Sequence, residues 1–89
     1  MEKMVLVTTE FRGVFFGLLD STSEGGRTVT LRSARNVMRW AGSRGFLGLA
    51  SHGPEEGSRI GPACPRLTLY GVTSIADVTP EAEEQFKTF

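Results

Sequence analysis

Apolar and polar positions change their spacing several times along the chain. MVLVTTEF (4–11) opens on a β-branched apolar run and predicts a strand, broken by Arg12-Gly13. VFFGLLD (14–20) predicts a second, more apolar strand. Gly13 and Gly17 flank Phe15-Phe16, which suits a bulge or a close backbone approach. STSEGG (21–26) has the composition of a loop, with Gly25-Gly26 fitted to a hairpin turn. RTVTLRS (27–33) shows a period of two, with Val29 and Leu31 on one face and Thr28, Thr30 and Arg32 on the other.

The second half is less regular. ARNVMRW (34–40) fits a helical turn through Val37 and Trp40, but the glycines that follow favour extended structure. Arg35, Val37 and Arg39 then share one side, and Asn36, Met38 and Trp40 the other. GFLGLASHG (45–53) predicts one short helical turn stopped at Gly53-Pro54. EEGSR (55–59) reads as an exposed loop and GPACP (61–65) as a stiff connector. RLTLYGVTSIADV (66–78) is the clearest strand, with Gly71 breaking the alternation as a bulge does. Thr79-Pro80 starts a helix over PEAEEQFKTF (80–89), with threonine as N-cap, proline in the first turn, and acids against the helix dipole. Phe86 and Phe89 would dock that helix on the sheet. The expected fold is α+β and mostly β, one domain over 1–89. It is a small antiparallel sheet or partly open barrel of four to five strands with one short C-terminal helix.

Size and composition sharpen this picture. A chain of 89 residues buries only about 60% of the surface its unfolded form exposes. Eleven glycines make its core smaller still, so a homo-oligomer is the expected extra support. The single cysteine, Cys64, excludes an internal disulfide and a cysteine-rich zinc site. No cofactor and no metal are expected. MEKMVLVTTEF lacks the long apolar core of a signal peptide, and no apolar run approaches the roughly 20 residues of a membrane helix. The expected location is the cytoplasm, with no membrane partner.

Net charge is zero, yet the charges are segregated. Residues 12–66 hold eight arginines, no lysine and four acids, while residues 67–89 hold one lysine and four acids. Arginine favours planar, bidentate binding of phosphate or carboxylate, although arginine-biased composition alone produces the same count. The zero balance and the acidic tail argue against a dedicated duplex-DNA binder.

The specialised side chains gather in RWAGSRGFLGLASHGP (39–54), which carries four glycines, the only tryptophan and the only histidine. Its glycine spacing matches neither a dinucleotide-binding fingerprint nor a phosphate loop of the ATPase kind. Two readings stay open: a loop that closes over an anion, or a loop that packs on a small sheet. Trp40 among arginines is either a stacking face or the largest core side chain. His52 has no nucleophile or acid at a motif spacing, so no catalytic residue is expected. The candidate ligand-binding set is Arg35, Arg39, Trp40, Ser43, Arg44, Gly45, His52, Arg59 and Tyr70.

GVFFG (13–17), SARNVMRW (33–40), GFLGLASHGP (45–54), SRIGPACPRLTL (58–69) and GVTSIADVTPEA (71–82) together resemble a family of short proteins encoded by tailed bacteriophages and prophages, a domain of unknown function. The resemblance spans nearly the whole chain. It implies a phage origin and a host-cytoplasm location, and it supplies no catalytic residues. Small accessory phage proteins often act by binding. The leading expectation is therefore a non-enzymatic protein that sequesters a small anionic ligand, a nucleotide-type immune signal. The alternatives are a module that inhibits a host enzyme or serves as a virion accessory subunit, and a single-stranded nucleic-acid binder.

Overall fold

The computed structural model describes residues 3–10, 13–23, 25–40 and 45–89. Three strands form an antiparallel meander: β1 (Met4–Thr9), β2 (Gly13–Thr22) and β3 (Thr28–Arg39). The apolar run of β1 reflects burial on both faces, since Val5, Leu6 and Val7 are all fully buried. The β2–β3 register shifts opposite Gly17, with the extra residue on β3, where Ser33 has φ of 52°, and again between Leu19 and Ser21; at Gly17 the close backbone approach is what the structure shows. The segments 27–33 and 34–40, read separately in the sequence, fuse into one twelve-residue strand. The extended reading of 34–40 holds up to Arg39.

The rest of the sheet is one interrupted ribbon. β4 (Arg59–Ile60) and β5 (Cys64–Tyr70) both pair antiparallel with β3, one along its second half and one along its first. Gly71 follows, and β6 (Val72–Asp77) then pairs antiparallel with β1. The run 66–78 is therefore two strands with different partners, not one bulged strand. Two backbone bonds of 3.0 Å hold the switch: Glu10 donates to the Gly71 carbonyl and Val72 to the Arg27 carbonyl. Among the described residues the expected four to five strands become six, and their sheet is not closed. β4 lies where a loop was expected, and β5 starts inside the expected connector. Pro62 and Pro65 punctuate this ribbon, and proline cannot donate to a further strand on an exposed edge.

Two apolar clusters flank the sheet. Val5, Val7, Val29, Leu31, Ala34, Leu69 and Val72 fill one side, under the ribbon. Leu6, Val14, Phe16 and Val37 fill the other, covered by Leu49 and Ala50 of α1 (Gly45–His52) and Phe86 of α2 (Pro80–Lys87). A second helix thus replaces the single turn expected near residue 46. Thr30 is also buried, against expectation, because β5 lies beside it and its hydroxyl meets that of Thr68 at 3.1 Å.

The helix start at Thr79-Pro80 follows its local chemistry. Thr79 Oγ1 accepts from the Ala82 amide, and Glu81 and Glu83 lie in the first turn. The same hydroxyl donates to the Ser51 carbonyl, and the Thr79 amide donates to the Ala50 carbonyl, so one residue joins the end of α1 to the start of α2. Phe86 is fully buried and stacks on Phe16 with ring centroids 3.9 Å apart. Phe89 is 36% exposed and does not share that docking role.

Candidate functional site

The site begins with a register irregularity at the end of β3. Val37 pairs with Ile60, but the register then shifts, and Arg39 pairs with Arg59. Ile60 packs into the cluster under the helices, so strand alternation turns its neighbour Arg59 to the opposite face. The shift takes Arg39 out of the side it was expected to share with Arg35 and Val37. Both arginines are exposed. Like charges directly opposite across an antiparallel pair repel, while two planar guanidinium forks based about 5 Å apart can converge on one anion. Trp40 follows directly and is 37% exposed, outside both apolar clusters. Met38, 57% exposed, adds apolar surface beside it. Trp40 is therefore a partly exposed ring and not a member of either buried cluster.

The other candidates are dispersed. Arg35 is half-buried and occupied within the fold: Nε donates to the Gly61 carbonyl at 2.8 Å, and Nη1 donates to the Phe86 carbonyl at 2.9 Å. It thereby ties β3, the ribbon and the C-terminal turn of α2 together, where a cation also suits the helix dipole. Arg35→Ala removes both bonds, although the Phe86 carbonyl keeps the Phe89 amide at 3.1 Å, and we expect a loss of about 1–3 kcal/mol, read as a lower melting temperature.

His52 is the last residue of α1, and its Nδ1 lies 3.2 Å from Glu81 Oε2 on α2. Ser51 Oγ donates to the Leu47 carbonyl, so the neighbouring hydroxyl and imidazole do not form a nucleophile–base pair. Gly45 opens α1. The positions expected to matter at Ser43 and Arg44 lie outside the described residues. Tyr70 pairs with Thr28 at the first residue of β3, whereas Arg59 pairs with Arg39 at its last. These two candidates therefore occupy opposite ends of a twelve-residue strand, and Tyr70 does not join the Arg39–Arg59 pair.

Sequence reading missed a second arginine row. Arg32 pairs with Arg66 across β3 and β5. The signal was present: TVTLR (28–32) lies against RLTLY (66–70) read backwards, pairing threonine with threonine and arginine with arginine. No pocket and no group of three metal-ligating side chains forms among the described residues. No described helix is long and apolar enough to cross a membrane.

A family model described as a domain of unknown function, DUF6948, matches residues 2–86. The chain belongs to this family. The match covers both helices almost entirely and every strand of the DUF6948 sheet, so the arginine rows described above lie inside the family domain. No curated protein and no solved structure matches the chain. The membership agrees with the domain of unknown function that the sequence resembles.

Proposed function

We propose that this chain is a non-enzymatic binding protein whose Arg39–Arg59 pair anchors a small anionic ligand, with Trp40 as the stacking face for a ring. A nucleotide-type signal, held by a phage-encoded protein in the host cytoplasm, is the ligand class that fits this combination of groups. The observation that carries the reading is the register itself. It sets two exposed guanidiniums opposite each other, an arrangement that costs about 0.2–1 kcal/mol without a counter-charge and becomes favourable with one. No pocket forms at this surface among the described residues, so enclosure of a ligand calls for a second copy laid over it, and a homo-oligomer is part of the proposal.

Native mass spectrometry with a panel of linear and cyclic nucleotides tests this directly. We expect an oligomer that gains nucleotide mass in fixed ratio, with quenching of the single tryptophan. Arg59→Ala is expected to weaken uptake about 10- to 100-fold, the loss of charge-assisted hydrogen bonds. The same change should leave the unliganded protein at least as stable as before, because it removes a repulsion. Absence of any mass gain across the panel would sink the reading.

A second reading has its own observation. Met38, Trp40 and Leu47 are all exposed, and tryptophan and arginine are the side chains most enriched at protein-interface hot spots. A module that inhibits a host enzyme, or a virion accessory subunit, would use them as an interface. Such a module takes up no nucleotide and loses its protein partner on Trp40→Ala.

A further inference from the structure

We propose that the free edge of β6 is a self-association seam, where a second copy of this chain adds its own β6 antiparallel to the first. β6 pairs with β1 on one side and, among the described residues, with no strand on the other. The Val78 amide donates to the Met4 carbonyl at 3.3 Å, and the register runs without a break from Asp77 to Ser74. Antiparallel strands alternate bonded and non-bonded pairs, so Ala76 and Ser74 turn their amides and carbonyls towards β1. Ile75 and Asp77 turn theirs away. Among the described residues nothing bonds these outward groups, and both residues are exposed.

The edge is complementary to itself. A twofold axis through Ala76 sets Ile75 opposite Asp77 of the second copy, and Asp77 opposite the second copy's Ile75. Each outward amide then donates to the carbonyl it faces, and no outward group of these residues is left over. The axis falls on a non-bonded pair, where antiparallel strands bring their side chains closest, and alanine is small enough for that position. Each Asp77 brings its own counter-charge, Lys3 at 2.9 Å, so the two copies meet without net like-charge repulsion. Ile75 lies opposite Val7 and is 38% exposed, so it lays aliphatic surface along the seam.

A strand with unpaired amides is a template for another chain unless lysine, proline or a bulge blunts it. VTSIAD of β6 holds no lysine and no proline, and its one register irregularity lies towards the Val72 end. The opposite edge of the sheet is defended, because Pro62 and Pro65 interrupt the ribbon of β4 and β5. A chain with one open edge closes as a pair and does not continue into a fibre. The seam also supplies the support from a partner chain that so small a core calls for. It lies at the β1–β6 end of the sheet and the Arg39–Arg59 pair at the β3–β4 end, so this second copy is not the one laid over the arginines. Six residues of strand make a small interface, so dimer and monomer exchange.

Sedimentation equilibrium and amide hydrogen exchange test the seam, each run from about 5 to about 500 µM protein, the range in which small interfaces dissociate. We expect a monomer–dimer equilibrium, with exchange at the Ile75 and Asp77 amides slowing about 10-fold across that range while the exposed Glu56 amide is unaffected. Ile75→Asp sets a carboxylate against Asp77 of the second copy, twice in each dimer, and is expected to weaken association about five- to 30-fold. Ile75→Pro removes an amide that bonds nothing within the described chain and should abolish the dimer. Ile75 is partly exposed, so both variants should fold, and circular dichroism checks this. Arg59→Ala should leave the dimer intact. A monomer throughout the range, a dimer that survives Ile75→Pro, or exchange at Ile75 and Asp77 indifferent to concentration would overturn the proposal. So would a dimer lost on Arg59→Ala alone, which would move the interface to the arginine pair.

Discussion

Phe86→Ala is expected to destabilise the domain by about 3–5 kcal/mol, the largest effect of any single truncation we anticipate. Phe86 is fully buried and fills the cluster formed by Leu6, Val14, Phe16, Val37, Leu49 and Ala50. Its ring stacks on Phe16 at 3.9 Å with the planes 12° apart. Removing it opens a cavity at the point where both helices meet the sheet, and it loosens the turn whose carbonyl holds Arg35. Domains of this size have only about 5–15 kcal/mol of stability, so the variant should melt at least 10 °C lower or unfold outright. Urea unfolding followed by circular dichroism measures it. Phe89→Ala supplies the contrast: the side chain is partly exposed, and a change within about 0.5 kcal/mol is expected. Comparable losses at both positions would mean that α2 docks differently.

That contrast shows where sequence reading succeeds. The start of α2 was legible because its causes are local: a threonine cap, a proline and two acids within five positions. Phe86 and Phe89 looked alike in sequence because helical spacing assigns both to one side. The helix ends at Lys87, however, and Phe89 lies beyond the last regular turn. The strand count was misjudged for a different reason. Gly71 does interrupt the run 66–78, but whether an interruption is a bulge or a change of partner depends on which strands lie alongside. Here β3 runs out at Thr28 just where β1 becomes available at Thr9.

The candidate site shows the same limit. Arg35 and Arg39 stand four residues apart on one strand and were read as equivalent. One meets the C-terminal carbonyl of α2, and the other faces a second arginine across a register shift. Nothing in the spacing distinguishes them, because α2 and β4 come from a later part of the chain. Tyr70 was correctly placed on a strand, but it lies at the opposite end of β3 from Arg39 and Arg59, with which it was grouped. The mirrored segments TVTLR and RLTLY carried the better clue, since reading one backwards aligns their apolar and hydroxyl positions in the register that β3 and β5 adopt.

The second large effect is expected at Gly53, where an alanine should cost about 2–4 kcal/mol, combining backbone strain with overpacking. Gly53 follows α1 with φ of 85°, a left-handed conformation that residues with a Cβ adopt reluctantly. An added Cβ would stand 2.6 Å from Gln85 Cβ and 2.9 Å from the Ala82 carbonyl oxygen, both on α2. The second neighbour is backbone, so relief requires the helices to move apart, straining the bonds by which Thr79 holds the Ala50 and Ser51 carbonyls. Gly25 separates the two contributions. Its φ of 87° is nearly the same, but no atom lies within 4 Å of the position of its Cβ. Gly25→Ala should therefore show the conformational part alone, about 1 kcal/mol. Thermal unfolding of both variants measures the difference, which is the contribution of close α1–α2 contact. Equal losses at the two glycines would show that the helices yield freely, and that the junction between α1 and α2 is looser than its hydrogen bonds imply.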